Sequence, residues 1–75
     1  MINAEEIRTL QKQTPFKPFR IHLSDGRAFT LLHPEQFIVL RNKVVLGLPE
    51  TAEIPERTEN LSILHITSVE EMAAA

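Results

Sequence analysis

The chain has no cysteine, no tryptophan and no tyrosine, and only two glycines among 75 residues. Without thiols it forms neither disulfides nor thiolate metal sites, so no staple of that kind supports a core this small. Aromatic residues are 5% of the chain, all of them phenylalanine, and the core is therefore expected to be aliphatic. No apolar run approaches the roughly 18 residues that cross a bilayer as a helix. The opening Met1-Ile2-Asn3-Ala4-Glu5-Glu6 is acidic where a secretory signal would be basic and then apolar. These absences lead to the expectation of a cytoplasmic chain with no membrane partner. A strong net charge is also lacking: eight Lys and Arg stand against ten Asp and Glu, for a net charge of −2. No overall basic field exists to hold a polyanion, which speaks against indiscriminate nucleic-acid binding.

What is present is a hydrophobic fraction of 43%, enough for one small domain over residues 1–75. A chain of this length buries a limited core, and association with further copies is a common supplement. The clearest local signal is Phe19 to Leu32. Phe19, Ile21 and Leu23 alternate with Arg20 and His22, the period of a strand with one buried face, and Asp25-Gly26 supplies the reversal. A two-residue Asp-Gly loop would group Ala28, Thr30 and Leu32 with the first strand's apolar face. A three-residue loop, Ser24-Asp25-Gly26 with Gly26 left-handed, pairs Leu23 with Arg27 and brings Phe29 and Leu31 to that face. A one-residue slip inverts every side chain of a strand, so the register that collects the larger apolar residues is preferred.

Before the hairpin, Asn3 is spaced as a helix N-cap with Glu6 in the capping-box position, and Ile2 and Ile7 as a hydrophobic staple. The helix is expected from Ala4 to about Gln13, with Ile7 and Leu10 toward the sheet, and to end because Pro15 disfavours helix at Thr14. Phe16 reads as a plug between helix and sheet. After the hairpin, His33-Pro34-Glu35-Gln36 breaks the second strand. Phe37 to Arg41 and Val44 to Leu48 then form a second hairpin around Asn42-Lys43, where Asn tolerates a left-handed turn. These two strands are apolar on both faces, so the second face needs a cover as well: a barrel wall, the helix or another subunit. Pro49 to Asn60 reads as an exposed acidic loop, with Ile54 tucked back. Leu61 to Val69 reads as one last strand, with Leu64, Ile66 and either Leu61 or Ile63 inward. The closing Glu70-Glu71-Met72-Ala73-Ala74-Ala75 is expected to fray. The resulting fold class is mainly β: an N-terminal helix followed by a five-stranded, strongly bent antiparallel sheet, which curls into a small barrel.

Helix then five strands is the order of the Sm-like barrels. Glu35-Gln36-Phe37-Ile38-Val39-Leu40-Arg41-Asn42 resembles the acidic-Gln-Phe-aliphatic-aliphatic-Leu-basic-Asn segment of the bacterial Hfq-type Sm-like RNA chaperones. Leu23 to Phe29 resembles the turn that precedes that segment, and Ile66-Thr67-Ser68-Val69 is similar to the short strand that closes that fold. Pro15-Phe16-Lys17-Pro18-Phe19 with the Asp25-Gly26-Arg27 turn is also similar to small bacterial proteins of uncharacterised activity. The Sm-like resemblance implies a ring of subunits joined by strand pairing, with Gln36 and Phe37 near a base-binding pocket and Phe37 as a stacking face. The Tyr-Lys-His triplet of such pockets is absent here, and the acidic Pro49 to Asn60 stretch stands where that fold has a tight turn.

Three histidines, His22, His33 and His65, have neither His-x-His nor His-x-x-x-His spacing, so neither a metal, a cofactor nor an enzymatic activity is expected. Two function classes remain. One is a non-enzymatic interaction module that associates with itself, and with a protein partner, through the second hairpin and a strand edge, using Ile38, Leu40 and Val45. The other is an Sm-like oligomeric RNA-binding protein using Gln36 and Phe37, with Arg20 and Arg27 as phosphate contacts.

Overall fold

Helix α1 spans Ala4–Gln11 and begins where Asn3 directs it: the Asn3 Oδ1 accepts from the Glu6 N–H at 2.9 Å, and Glu5 and Glu6 lie in the first turn, where the helix dipole favours them. It ends at Gln11, two residues before the expected Gln13, with Lys12 as the C-cap. Ile7 is fully buried, and Ile2 and Leu10 pack beside it at the core's margin. In the computed structural model residues 2–72 are described.

Six strands follow, β1 (Phe19–Leu23), β2 (Ala28–Leu31), β3 (Phe37–Val39), β4 (Lys43–Leu48), β5 (Arg57–Ser62) and β6 (Ile66–Glu71). They form two three-stranded antiparallel sheets, ordered β2-β1-β6 and β3-β4-β5. Among the described residues no ladder joins the two sheets, so the closed barrel and the single five-stranded sheet both give way to two sheets around one core. Inward residues of both sheets and of α1 fill that core, among them Phe19, Ile21, Leu31, Leu46 and Leu61. It is mainly aliphatic, as expected, but three of the four phenylalanines meet inside it. Phe19 and Phe37 stand edge to face at 5.8 Å between centroids, and Phe16 closes the triangle at 5.9 and 6.3 Å.

The first hairpin has the expected three-residue loop. Phe19 pairs with Leu31 and Ile21 with Phe29, Leu23 bonds Arg27 across the loop, and Gly26 has φ +92°, a conformation costly for a residue with a Cβ. The second hairpin turns one residue earlier than expected. Val39 pairs with Val44 and the Leu40 N–H donates to the Lys43 carbonyl, leaving Arg41 and Asn42 as the loop. Asn42 is not left-handed, since no non-glycine residue among those described has positive φ.

The sixth strand comes from two segments read differently in the sequence. Arg57–Asn60, assigned to a loop, is strand because β4 pairs with it from Lys43–Ser62 through Leu48–Arg57. The run Leu61 to Val69 is interrupted by a 3-10 turn at Ile63–His65, which carries the chain from one sheet to the other. Leu61, Ile63 and Ile66 are all buried, whereas Leu64 is 79% exposed and Ile54 is 82% exposed, so neither of these last two is inward. Glu70 and Glu71 do not fray: they pair with Arg20 and Phe19 in β6. Ala73, Ala74 and Ala75 lie outside the described residues.

Candidate functional site

The residues singled out for RNA contact are employed inside the subunit. Gln36 ends the 3-10 turn Pro34–Gln36 between β2 and β3. Its Oε1 accepts from the Leu32 N–H at 2.9 Å and the His33 N–H at 3.4 Å, and its Nε2 donates to the Thr30 carbonyl at 3.5 Å. Phe37 is 2% exposed, with its ring packed against Phe16 and Phe19 inside the subunit. Arg20 is half-buried on β1 and donates from Nε to Thr30 Oγ1 at 3.3 Å.

Arg27 is exposed but held between two carboxylates, Asp25 Oδ2 at 2.8 Å and Glu59 Oε1 at 2.8 Å, with its guanidinium 5.7 Å from the Phe29 ring centroid. A phosphate there would compete with both acids. The Glu59 contact ties β5 of one sheet to the hairpin loop of the other. The Arg27 N–H, followed by the Arg27 guanidinium, holds the Asp25 carboxyl below the ordinary carboxylate range, while the Glu59 and Asp25 bonds raise Arg27 further above neutrality. A carboxyl depressed in the folded chain stabilises it above the unfolded pKa and loses that contribution as pH falls through the folded value. Asp25→Asn keeps an acceptor for the turn but removes the charge. Its denaturation midpoint should fall below that of the original chain at neutral pH and converge with it in acid; a difference constant with pH excludes this role.

The outer face of β3 and β4 is different in kind. Phe37, Val44, Leu46 and Leu48 point into the core, which sends Ile38 outward on β3 and Lys43, Val45 and Gly47 outward on β4. Ile38 pairs directly with Val45, and Val45 with Asn60 of β5. Ile38 is 61% exposed and Leu40, just beyond β3, is 42% exposed, with Val45 half-buried beside them. The cover that two apolar faces call for is therefore absent on this side among the described residues. At one end of the face lie Lys43, the first residue of β4, and Arg41 of the adjoining loop. At the other lies the Pro49–Glu56 segment, whose Pro55 ring rests on Gly47: a Cβ there would sit 2.7 Å from Pro55 Cγ. Glycine is what permits that close approach.

The β3 edge beside this face is short, and its Phe37 carbonyl already accepts from Gln11 Nε2 at 2.9 Å, as does the Pro34 carbonyl. The β5 edge is lined by Arg57, Thr58, Glu59 and Asn60, polar side chains of the kind that discourage strand addition. The face thus offers more than the edges do.

No family model, curated protein or solved structure matches this chain.

Two of the three histidines, His22 and His65, meet polar partners, and neither meets the other. His22 Nε2 is 3.0 Å from Glu70 Oε1, and Ser24 Oγ is 3.3 Å from His65 Nδ1. The Ser24–His65 contact resembles the Ser–His part of a hydrolytic triad, yet the neighbouring Asp25 is engaged by Arg27 and no carboxylate among the described residues bonds His65 in turn. No group of three metal-ligating side chains occurs among the described residues. No helix among them is long and apolar enough to cross a membrane.

Proposed function

We propose that the chain is an interaction module that acts by binding rather than catalysis, and that it self-associates through the outer face of β3 and β4. The observation that carries this reading is the exposure of Ile38 and Leu40 on a strand pair whose opposite face is the core. Apolar residues on both faces of an antiparallel pair call for a cover on each side, and exposed apolar patches mark interaction surfaces. A second copy supplies an identical face, so a two-fold arrangement buries both at once. A protein partner with a comparable apolar ridge competes for the same surface.

The helix-first order and the Asp25-Gly26 hairpin support the resemblance to Sm- and SH3-like small β folds, here with two open layers in place of a closed barrel. Ring assembly around RNA draws less support, because Gln36, Phe37 and Arg27 are all engaged within the subunit.

Val45→Lys places a charge at the centre of the face without touching the core. Static light scattering across a concentration series should report a larger mass for the original chain and the monomer mass for Val45→Lys, with unchanged far-UV circular dichroism. A monomer at every concentration for the original chain, or an unaltered assembly in Val45→Lys, removes the reading.

A further inference from the structure

Three apolar side chains are a narrow strip for a stable contact, since standard interfaces bury about 800 Å² per partner. The flanks of the face must therefore enter the interface, and they carry opposite charge. Lys43 and Gly47 are the outward neighbours of Val45 along β4, each roughly 7 Å from it along the strand. Past Lys43 the loop adds Arg41. Over Gly47 lies Pro55, flanked in sequence by the exposed Glu53 and Glu56. The ion pairs formed among the described residues involve His22, Arg27, Asp25, Glu59 and Glu70. Arg41, Lys43, Glu53 and Glu56 take part in none of them.

We infer, resting on the self-association proposed above, that two copies pack these faces antiparallel, with Arg41 and Lys43 of each copy against Glu53 and Glu56 of the other. The two-fold axis then passes through the Ile38–Val45 pair, in the plane of the interface and perpendicular to the strands. Sheets packed face to face keep their strands within about 30° of alignment, so the basic loop of one copy overlies the acidic segment of its partner at both ends. The alternative axis, parallel to the strands, would set basic loop on basic loop and acid on acid, which opposes association. Burial of Ile38, Leu40 and Val45 supplies the attraction, and the charged flanks select the orientation.

The orientation is tested by charge reversal and mixing. Arg41→Glu/Lys43→Glu makes both ends of the face acidic, and Glu53→Lys/Glu56→Lys makes both ends basic. Each variant alone should associate about tenfold more weakly than the original chain or less, since each reverses several exposed pairs at once. Mixed in equal amounts, the two restore opposite charge at both ends, and sedimentation velocity should recover a dimer containing one of each. The unaltered chain should dissociate progressively as sodium chloride is raised. If Val45→Lys disrupts the dimer while charge reversal and salt leave it intact, the antiparallel pairing is wrong and self-association through the face survives. Failure of the mixture to restore the dimer likewise overturns the pairing. If the original chain is monomeric throughout, the self-association on which the pairing rests is itself removed.

Discussion

Phe37→Ala should cost about 3–5 kcal/mol of folding stability, the usual loss when a buried aromatic is truncated in a packed core. At ~0.05–0.15 kcal/mol per residue, a chain of this length has about 4–11 kcal/mol in total, so the loss takes about a quarter or more of the stability and should lower the denaturation midpoint sharply. The ring is 2% exposed and touches both Phe16 and Phe19, and those neighbours lie on different elements, which limits how far the cavity can collapse. Urea denaturation followed by circular dichroism measures the effect directly, without any ligand. A loss below about 1 kcal/mol would show that the phenylalanine cluster does not hold the two layers and would free Phe37 for a surface role. The same experiment bears on the RNA reading, because a base-stacking phenylalanine at a surface can be truncated at little cost to the fold.

The second large effect is expected at Gln36. Gln36→Leu keeps much of the side-chain volume but removes the acceptor for the Leu32 and His33 N–H groups and the donor to Thr30. Leaving a partly buried N–H unpaired costs about 1–3 kcal/mol. Gln36→Glu retains the acceptor and loses only the longest of the three bonds, so it should fall between the original chain and Gln36→Leu. Equal midpoints for Gln36→Leu and the original chain would mean that water replaces the amide and that the turn between β2 and β3 holds without it. The bond matters for the interaction surface too, since this turn sets where β3 begins and therefore which of Phe37 and Ile38 faces outward.

The second hairpin stands out in the sequence as an anomaly: Phe37-Ile38-Val39-Leu40 and Val44-Val45-Leu46 leave no polar face. Periodicity alone could not say whether the second face is covered by the chain's own elements or left open. That depends on where α1 and β5 pack, and both are placed by contacts distant in sequence, such as Gln11 with the Pro34 and Phe37 carbonyls. The engagement of Phe37 in the core escaped for a related reason. A single phenylalanine at the start of a doubly apolar strand fits either face, and the segment's resemblance to an RNA-binding one favoured the outer face.

β5 was hidden by its composition. Arg57-Thr58-Glu59-Asn60 carries little strand propensity, and it is held as strand by its backbone pairing with β4 and by the Arg27–Glu59 contact to the other sheet. The 3-10 turn that separates β5 from β6 shows in the burial of positions 61, 63 and 66, a step of two and then three that a continuous strand would not make, but the exposed Leu64 masks that step in the sequence.

The sequence by itself determined the helix start at Asn3, the first hairpin with its three-residue loop and register, and the mainly β class, because each rests on interactions between residues close along the chain: a cap, a turn that needs Gly26 at positive φ, and an alternation of apolar side chains. Only the tertiary structure decided that the strands form two layers instead of one curled sheet, that Phe37 is core, and that Ile38, Leu40 and Val45 share an uncovered face between a basic loop and an acidic segment. Those outcomes depend on which distant backbones pair and which side chains compete for the same interior, and no local pattern encodes that competition.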